Sequence, residues 1–390
     1  MKRKRLAIVS THPIQYHSAW FRALASNSQV ELEVLFCHQP TAREHAESGF
    51  EVEFEWDSKL LEGYQYRFLN NTASRPSVHG FHGTDTPEIK TLVSDYDAVI
   101  VNGWHYKSAW QTIHCCWQAR KPVMVKGDSH LHDPRPLTTR ILKWPFYRWF
   151  IPRLDACLAA GSWSRDYYLH YGAKPDRIFF VPHAVDPELF SASANSTSSM
   201  HTGLRGEFQL DSSRTAFLYV GKFTRGKRPM DFVRGIDMTA RSGAPVMGLM
   251  VGDGPMKPVC EAYARENGIP IRFTGFINQS RMAAAYLAAD ALVVPSAAET
   301  WGVTVSEAMA CGRPCIVSDR VGSGPDLVEP GKTGASYPVG DIDTLSSLLA
   351  AFAQEPLKLR QMGESARLKI DGYSVPAAVD GVMEALKNVL

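Results

Sequence analysis

Short apolar runs bounded by turn residues alternate with helix-length amphipathic stretches along nearly the whole 390-residue chain. In the first half the runs are "LAIVS" (6–10), "VELEVLF" (30–36), "YDAVIV" (96–101), "PVMVK" (122–126), "DACLAA" (155–160) and "RIFFVP" (177–182). Helical stretches lie between them near 17–27, 107–119, 138–152 and 163–172. Runs that are apolar almost throughout mark strands buried on both faces, which means a parallel sheet covered by helices on either side. Residues 70–90, "NNTASRPSVHGFHGTDTPEIK", show no period and many breakers, and read as a long loop. "PELFSASANSTSSMHTGLRGEF" (187–208) is small and polar at its centre and reads as a linker. The alternation then restarts in "TAFLYVG" (215–221), "APVMGLMVG" (244–252), "IPIRFTG" (269–275), "DALVVPS" (290–296), "RPCIVS" (313–318) and "GASYPV" (334–339), and helices near 341–353, 356–369 and 375–389 close the chain.

The expected architecture is α/β, with two doubly wound, Rossmann-like domains facing across a cleft. Their bounds are 1–190 and 191–370, with 371–390 a terminal helix packing back towards the first domain. Such sheets bind ligands at the carboxyl ends of their strands.

Composition narrows the function by exclusion. A formal charge of +2 gives no bulk attraction for nucleic acid. Seven cysteines without metal-ligand spacing read as buried thiols in a reducing compartment. The four-residue apolar run Leu6–Val9 is too short for a signal-peptide core, and no run reaches the length of a spanning helix. The expected location is cytoplasmic.

The densest stretch is "SAAETWGVTVSEAMACGRPCIVS" (296–318), with Glu299 and Glu307 eight residues apart. Eight helical residues separate two groups by about 12 Å. Carboxylates that share acid–base work at a glycosidic bond stand roughly 5–9.5 Å apart. The pair is spaced instead to hold two ends of one elongated ligand. A helix start near Gly302, between them, offers free N–H groups and partial positive charge to an anion. Hydroxyls at both ends and phosphates in the middle describe a nucleotide sugar.

The longer stretch "PSAAETWGVTVSEAMACGRPCIVSDRVGSGPDLVEPGKTG" resembles the donor-binding segment of retaining GT-B glycosyltransferases of family 4. "FLYVGKFTRGKRPMDFV" (217–233) is similar to the family's phosphate-binding segment, with Lys222 at a position where arginine is commoner. "LDACLAAGSWSRDYYLHYGAKPDRIFFVPHAVDPELF" (154–190) resembles the segment entering the interdomain crossover, with His183 where Asn-Gly is usual.

The resemblance implies that Glu307 accepts ribose hydroxyls and Glu299 holds the transferred sugar. It places the backbone of Gly302, Val303 and Thr304 at the diphosphate, Lys222 and Lys227 beside it after Gly221, and the base near Arg272 to Phe276. It also implies a UDP- or GDP-sugar as co-substrate, no metal and no cofactor. An ionised Glu307 needs no special pKa for this role. No D-x-D is placed like a metal ligand: "DID" (341–343) falls in the wrong region.

In the first half, "STHPIQYHSAWFRALA" (10–25) lacks the family's glycine-rich loop and offers His12, Gln15 and His17 towards an acceptor. "PVMVKGDSHLHD" (122–133) leaves open whether Asp128 or His130 takes the family's active-site histidine position, with Lys126 as added charge. Trp104 and His105 are acceptor candidates in "NGWHYKSAW" (102–110), set against a buried-aromatic reading. "RILKWPFYRWFIPR" (140–153) has four cations, no acid and five aromatics. Its break at Pro145 favours a core helix with snorkelling cations over peripheral contact with a membrane.

The expected function is transfer of a sugar to a hydroxyl of a glycan or lipid-linked sugar, in glycan, polysaccharide or glycolipid biosynthesis. A GT-B-fold phosphorylase, a nucleotide-sugar epimerase and a non-catalytic sugar-nucleotide-binding protein are the alternatives. A nicotinamide dehydrogenase is disfavoured, since "VGDGPMKP" (251–258) lacks the third glycine of a dinucleotide fingerprint.

Overall fold

The structure is a computed structural model that describes residues 3–45, 52–132, 136–190 and 198–390. The chain divides into two compact units, one of residues 1–44, 59–184 and 373–390, the other of 45–58 and 185–372.

The first unit contains β1 (Lys4–Ser10), α1 (Gln15–Ala25), β2 (Val30–Phe36), α2 (Ala42–His45, whose last residue falls in the second unit), β3 (Gln65–Phe68), α3 (Ile89–Leu92), β4 (Ala98–Asn102), α4 (Lys107–Ala119), β5 (Val123–Gly127), α5 (Leu137–Phe150), β6 (Ala156–Ala159), α6 (Ser162–His170) and β7 (Ile178–Phe180). Its seven strands run parallel in the order β3-β2-β1-β4-β5-β6-β7. The second unit holds α7 (Pro187–Phe190), α8 (Ser198–Glu207), β8 (Thr215–Val220), α9 (Pro229–Arg241), β9 (Val246–Val251), α10 (Lys257–Glu266), β10 (Ile271–Gly275), α11 (Gln279–Ala288), β11 (Ala291–Val294), α12 (Val303–Ala310), β12 (Cys315–Ser318), α13 (Gly324–Leu327), β13 (Gly334–Tyr337), α14 (Ile342–Gln354) and α15 (Pro356–Ile370). Its six strands are also parallel, in the order β10-β9-β8-β11-β12-β13.

The central strands are apolar on both faces because helices cover both. Ala7 and Val9 join the core cluster under α4, while Leu6 and Ile8 join the one under α1, and all four are fully buried. The last helix, α16 (Val375–Val389), returns to the first unit, where Ala378, Val382, Ala385 and Leu386 enter the core shared with α1.

Several expectations from sequence are corrected. β3 gave no strand signal because it is an edge strand whose first three residues are exposed. The second half of the linker-like stretch is α8, anchored by buried Arg205, which donates to Asp290 (2.9 Å) and to the carbonyls of Asp211 (2.7 Å) and Arg214 (2.6 Å); residues 191–197 lie outside the described residues. Part of the 1–190 stretch belongs to the second unit. Phe54 packs on Phe276 with ring centroids 4.3 Å apart, and Asn278 donates to the Glu55 carbonyl at 2.7 Å. The loop 70–90 is tied down by Asn71, which bonds Gly83 and Asp85, and by Asp85, which bonds Lys107 and Gln111.

Gly381 sits mid-helix in α16, where alanine ordinarily stabilises by up to roughly 1 kcal/mol. A Cβ there would lie 1.9 Å from the Phe180 carbonyl oxygen of β7. Gly381→Ala is therefore expected to destabilise, by about 1–3 kcal/mol as for other overpacked sites, read as a lower urea midpoint.

Candidate functional site

In the second unit, β8 ends at Val220 and the chain turns through Gly221 and Lys222 into a 3-10 turn at Arg225–Lys227. Space for this turn comes from Gly252, whose φ is 129° and whose added Cβ would lie 2.0 Å from the Gly221 carbonyl oxygen. The turn closes with Lys227 N–H donating to the Thr224 carbonyl at 3.1 Å, followed by Arg228 in the left-handed region at φ 52°. That geometry carries the Lys227 ammonium onto the Glu299 carboxylate, to which it donates. Lys222 lies near both. Burial and the Lys227 charge lower its pKa, while Glu299 acts the other way.

Glu299 follows β11, the strand beside β8, so sheet order alone brings its loop to the lysine turn. Backbone bonds from Gly322 to the Glu299 carbonyl (2.9 Å) and from Ser323 to the Trp301 carbonyl (2.8 Å) fix that loop. Gly322 makes this possible, since a Cβ would lie 1.9 Å from the Thr300 oxygen. Gly302 then caps α12 with φ 89°, a left-handed conformation that favours glycine. The first amides of a helix have no partner within it, so Val303 and Thr304 offer N–H groups at this end.

Glu307 is buried inside α12. The Tyr286 hydroxyl donates to its Oε2 at 2.6 Å and the Gln279 amide to its Oε1 at 3.3 Å. Burial pushes its pKa up to about 7, against the pull of those two hydrogen bonds. The expectation of a carboxylate ionised throughout is thus corrected: desolvation outweighs two donors. Tyr286 and Gln279 carried no sequence signal, because α11 sits beside α12 only through the fold.

Phe276 follows β10 and packs against Phe54 with the rings tilted by 33°. Arg272 is not part of this group. It is exposed near the start of β10, away from the strand's carboxyl end, and its Nε donates to the Gln209 carbonyl at 3.3 Å.

The first unit holds a second group at its strand carboxyl ends. His12 follows β1, with Nδ1 2.9 Å from the Thr11 hydroxyl, and Gln15 opens α1 half-buried. His17 is buried, its ring 4.6 Å from Tyr16 and 6.3 Å from His183. Asp128 Oδ2 lies 3.4 Å from His183 Nε2. Burial, with the nearby Lys126 charge, depresses the pKa of both histidines. His183 is therefore part of the group, although only its departure from the family pattern had marked it.

Asp128 and His130 line different hollows. His130 packs on Trp163 at 4.9 Å and lines a separate small hollow with Tyr167 and Tyr171. Asp128 instead lines a cavity of about 700 Å³ with Phe81, Trp104, His105, Lys143 and Phe146. The Trp104 ring packs among Tyr147, Phe150, Tyr167 and Tyr168, as a buried aromatic would, and also lines this cavity. Gly127 leaves room for it, as a Cβ would lie 2.7 Å from the Trp104 ring.

The α5 helix departs from expectation. It continues through Pro145 from Leu137 to Phe150. Tyr147 and Phe150 are buried, but Leu137, Ile141, Leu142, Trp144, Phe146 and Trp149 are 43–79% exposed. Among the described residues no group of His, Cys, Asp and Glu could hold a metal ion, and no helix is long and apolar enough to cross a membrane.

The chain matches two family models, Glycosyltransferase Family 4 over residues 22–189 and Glycosyl transferases group 1 over residues 202–369. It is 25% identical over 300 residues to the D-inositol 3-phosphate glycosyltransferase of Rhodococcus opacus, covering 73% of this chain and 64% of that protein. To the D-inositol 3-phosphate glycosyltransferase 2 of Catenulispora acidiphila it is 27% identical over 281 residues, covering 68% and 62%. The match thus spans less than two thirds of either relative. In structure it resembles Anabaena HepE, crystallised with UDP-glucose, at a TM-score of 0.72 and 15% identity, over 99% of this chain and all of that one. Two parallel Rossmann-like sheets, both family models and these neighbours agree, and the chain belongs to the GT-B glycosyltransferases of family 4.

Proposed function

We propose that this chain is a retaining glycosyltransferase that moves a sugar from a UDP- or GDP-linked donor to a hydroxyl of a glycan or lipid-linked acceptor, without a divalent metal. The second unit binds the donor and the first the acceptor. One observation carries the reading: Lys222, Lys227 and Glu299 converge at the strand ends that also lead to the Gly302 cap of α12. Cleavage at the anomeric carbon leaves negative charge on the diphosphate. Fixed ammonium groups and helix amides oppose that charge most effectively where water is excluded. No nucleophile–base pair is needed if the leaving phosphate itself assists attack on the same face. HepE, a neighbour in fold, was crystallised with UDP and glucose and with UDP-glucose, which supports a nucleotide sugar as the ligand class.

Lys227→Ala tests the charge argument. Because charge builds on the leaving group mainly in the transition state, kcat should fall about 10²–10³-fold while donor affinity changes much less. Equal losses in both would mean that Lys227 only binds.

Glu307 gives a second test. Its ionised form accepts two ribose hydroxyls, and burial pushes its carboxyl pKa up to about 7. Sugar-nucleotide phosphates, being diesters, stay ionised across this range. Donor affinity measured by calorimetry should thus rise with pH through about 7, level off above it, and fall up to about tenfold per unit below it. Glu307→Gln should bind more weakly and lose this pH dependence.

The proposal includes peripheral contact with an anionic membrane through α5, whose exposed apolar side chains are interleaved with Arg140, Lys143 and Arg148 and followed by Arg153, with no acid from Leu137 to Arg153. Phe146 and Lys143 also line the cavity beside Asp128, so a lipid-linked acceptor lying on that surface would meet the cavity directly. Sedimentation with vesicles containing phosphatidylglycerol should retain the protein at low salt. Leu142→Glu/Trp144→Glu should abolish retention without altering donor affinity.

A further inference from the structure

Three polar side chains stand in one row across the first sheet. The register pairs Ser10 with Phe36, Asn102 with Lys126 and Lys126 with Leu158, and one step before it pairs Val9 with Val101. Ser10, Asn102 and Lys126 therefore lie side by side at the carboxyl ends of β1, β4 and β5, flanked by apolar Phe36 and Leu158. Laterally paired residues of a parallel sheet share a face, and Ile8, Ile100 and Met124 place this one under α1.

All three are buried: Ser10 is 0% exposed, Asn102 9% and Lys126 4%. Among the described residues the Lys126 ammonium has no hydrogen-bond partner, nor have the Ser10 hydroxyl, either polar atom of the Asn102 amide, or His17 Nδ1. Buried polar groups are ordinarily paired, and an ammonium most stringently so. Asp128 supplies some attraction to Lys126, but its carboxylate bonds His183 instead. The row thus carries a cation and several hydrogen-bonding groups directed at nothing the protein provides. An ion accepting several hydrogen bonds at once would satisfy them together.

We propose that Lys126, Asn102, Ser10 and His17 form an anion subsite in the first unit that takes the phosphate or carboxylate of an acidic sugar acceptor. The acceptor assignment rests on the glycosyltransferase reading; the anion subsite does not. Lys126 is a specificity-determining residue in this scheme, since a neutral acceptor would leave its ammonium uncompensated.

The test uses the full chain with inorganic phosphate as probe, followed by calorimetry and thermal melting, alongside a panel of UDP- and GDP-hexoses. Phosphate should raise the Tm of the wild-type protein. Lys126→Met should weaken phosphate binding at least tenfold, yet should not lower Tm in phosphate-free buffer, because the thioether fills the same space without a charge. Asn102→Ala, a second variant, should weaken phosphate about three- to tenfold. Donor affinity should be unchanged in both. Absence of phosphate binding to the wild type, or its survival in Lys126→Met, overturns the subsite. Parallel loss of donor and phosphate binding assigns Lys126 to the donor's own phosphates and overturns the acceptor assignment. Phosphate binding with no donor bound at all upholds the subsite and removes the glycosyltransferase reading instead.

Discussion

The ion pair between Lys227 and Glu299 joins residues 72 apart in sequence, and the rest of the second unit is arranged so that it forms. Parallel strands send all their carboxyl ends to one edge, and β8 and β11 are neighbours there. Two backbone devices then set the angles. Gly252 lets the β8 turn approach, and Gly322 lets the Glu299 loop close, each at a distance no side chain would permit. The pair fixes both side chains, so a lysine already oriented by a carboxylate has less freedom left to lose in any further contact.

The two units differ in how they treat buried charge. In the second, Glu307 is buried but receives donors from Tyr286 and Gln279, so its neutral and ionised forms are both accessible near neutral pH. In the first, Lys126 is buried with no comparable neighbour, and its pKa is driven down to about 8. A satisfied acid and an unsatisfied base have different meanings. Glu307 has two donors, whereas Lys126 has no hydrogen-bond partner among the described residues. The same contrast runs through α5, where apolar side chains that a core would ordinarily absorb remain in water between cations.

Much of this was legible in the chain itself. Continuous apolar runs specified parallel, doubly covered sheets, because a strand buried on both faces cannot afford polar alternation. The spacing of Glu299 and Glu307 excluded shared acid–base work, and the order of the motifs marked the family. The edge strand β3 was not legible, since three of its four residues are exposed and its pattern resembles a loop. Nor was the placement of residues 52–58 beside Phe276 and Asn278, which depends on contacts more than two hundred residues away.

Sequence by itself determined the strand and helix periods and the residue types available at the strand ends, because these follow from local geometry and from which side chains tolerate burial. Only the tertiary structure decided that Asp128 and not His130 lines the cavity, that Arg272 lies away from the Lys227–Glu299 pair, that burial raises the Glu307 pKa, and that Lys126 has no hydrogen-bond partner among the described residues. Each of these depends on what surrounds a side chain in space, and desolvation and pairing are properties of an environment that no residue carries alone.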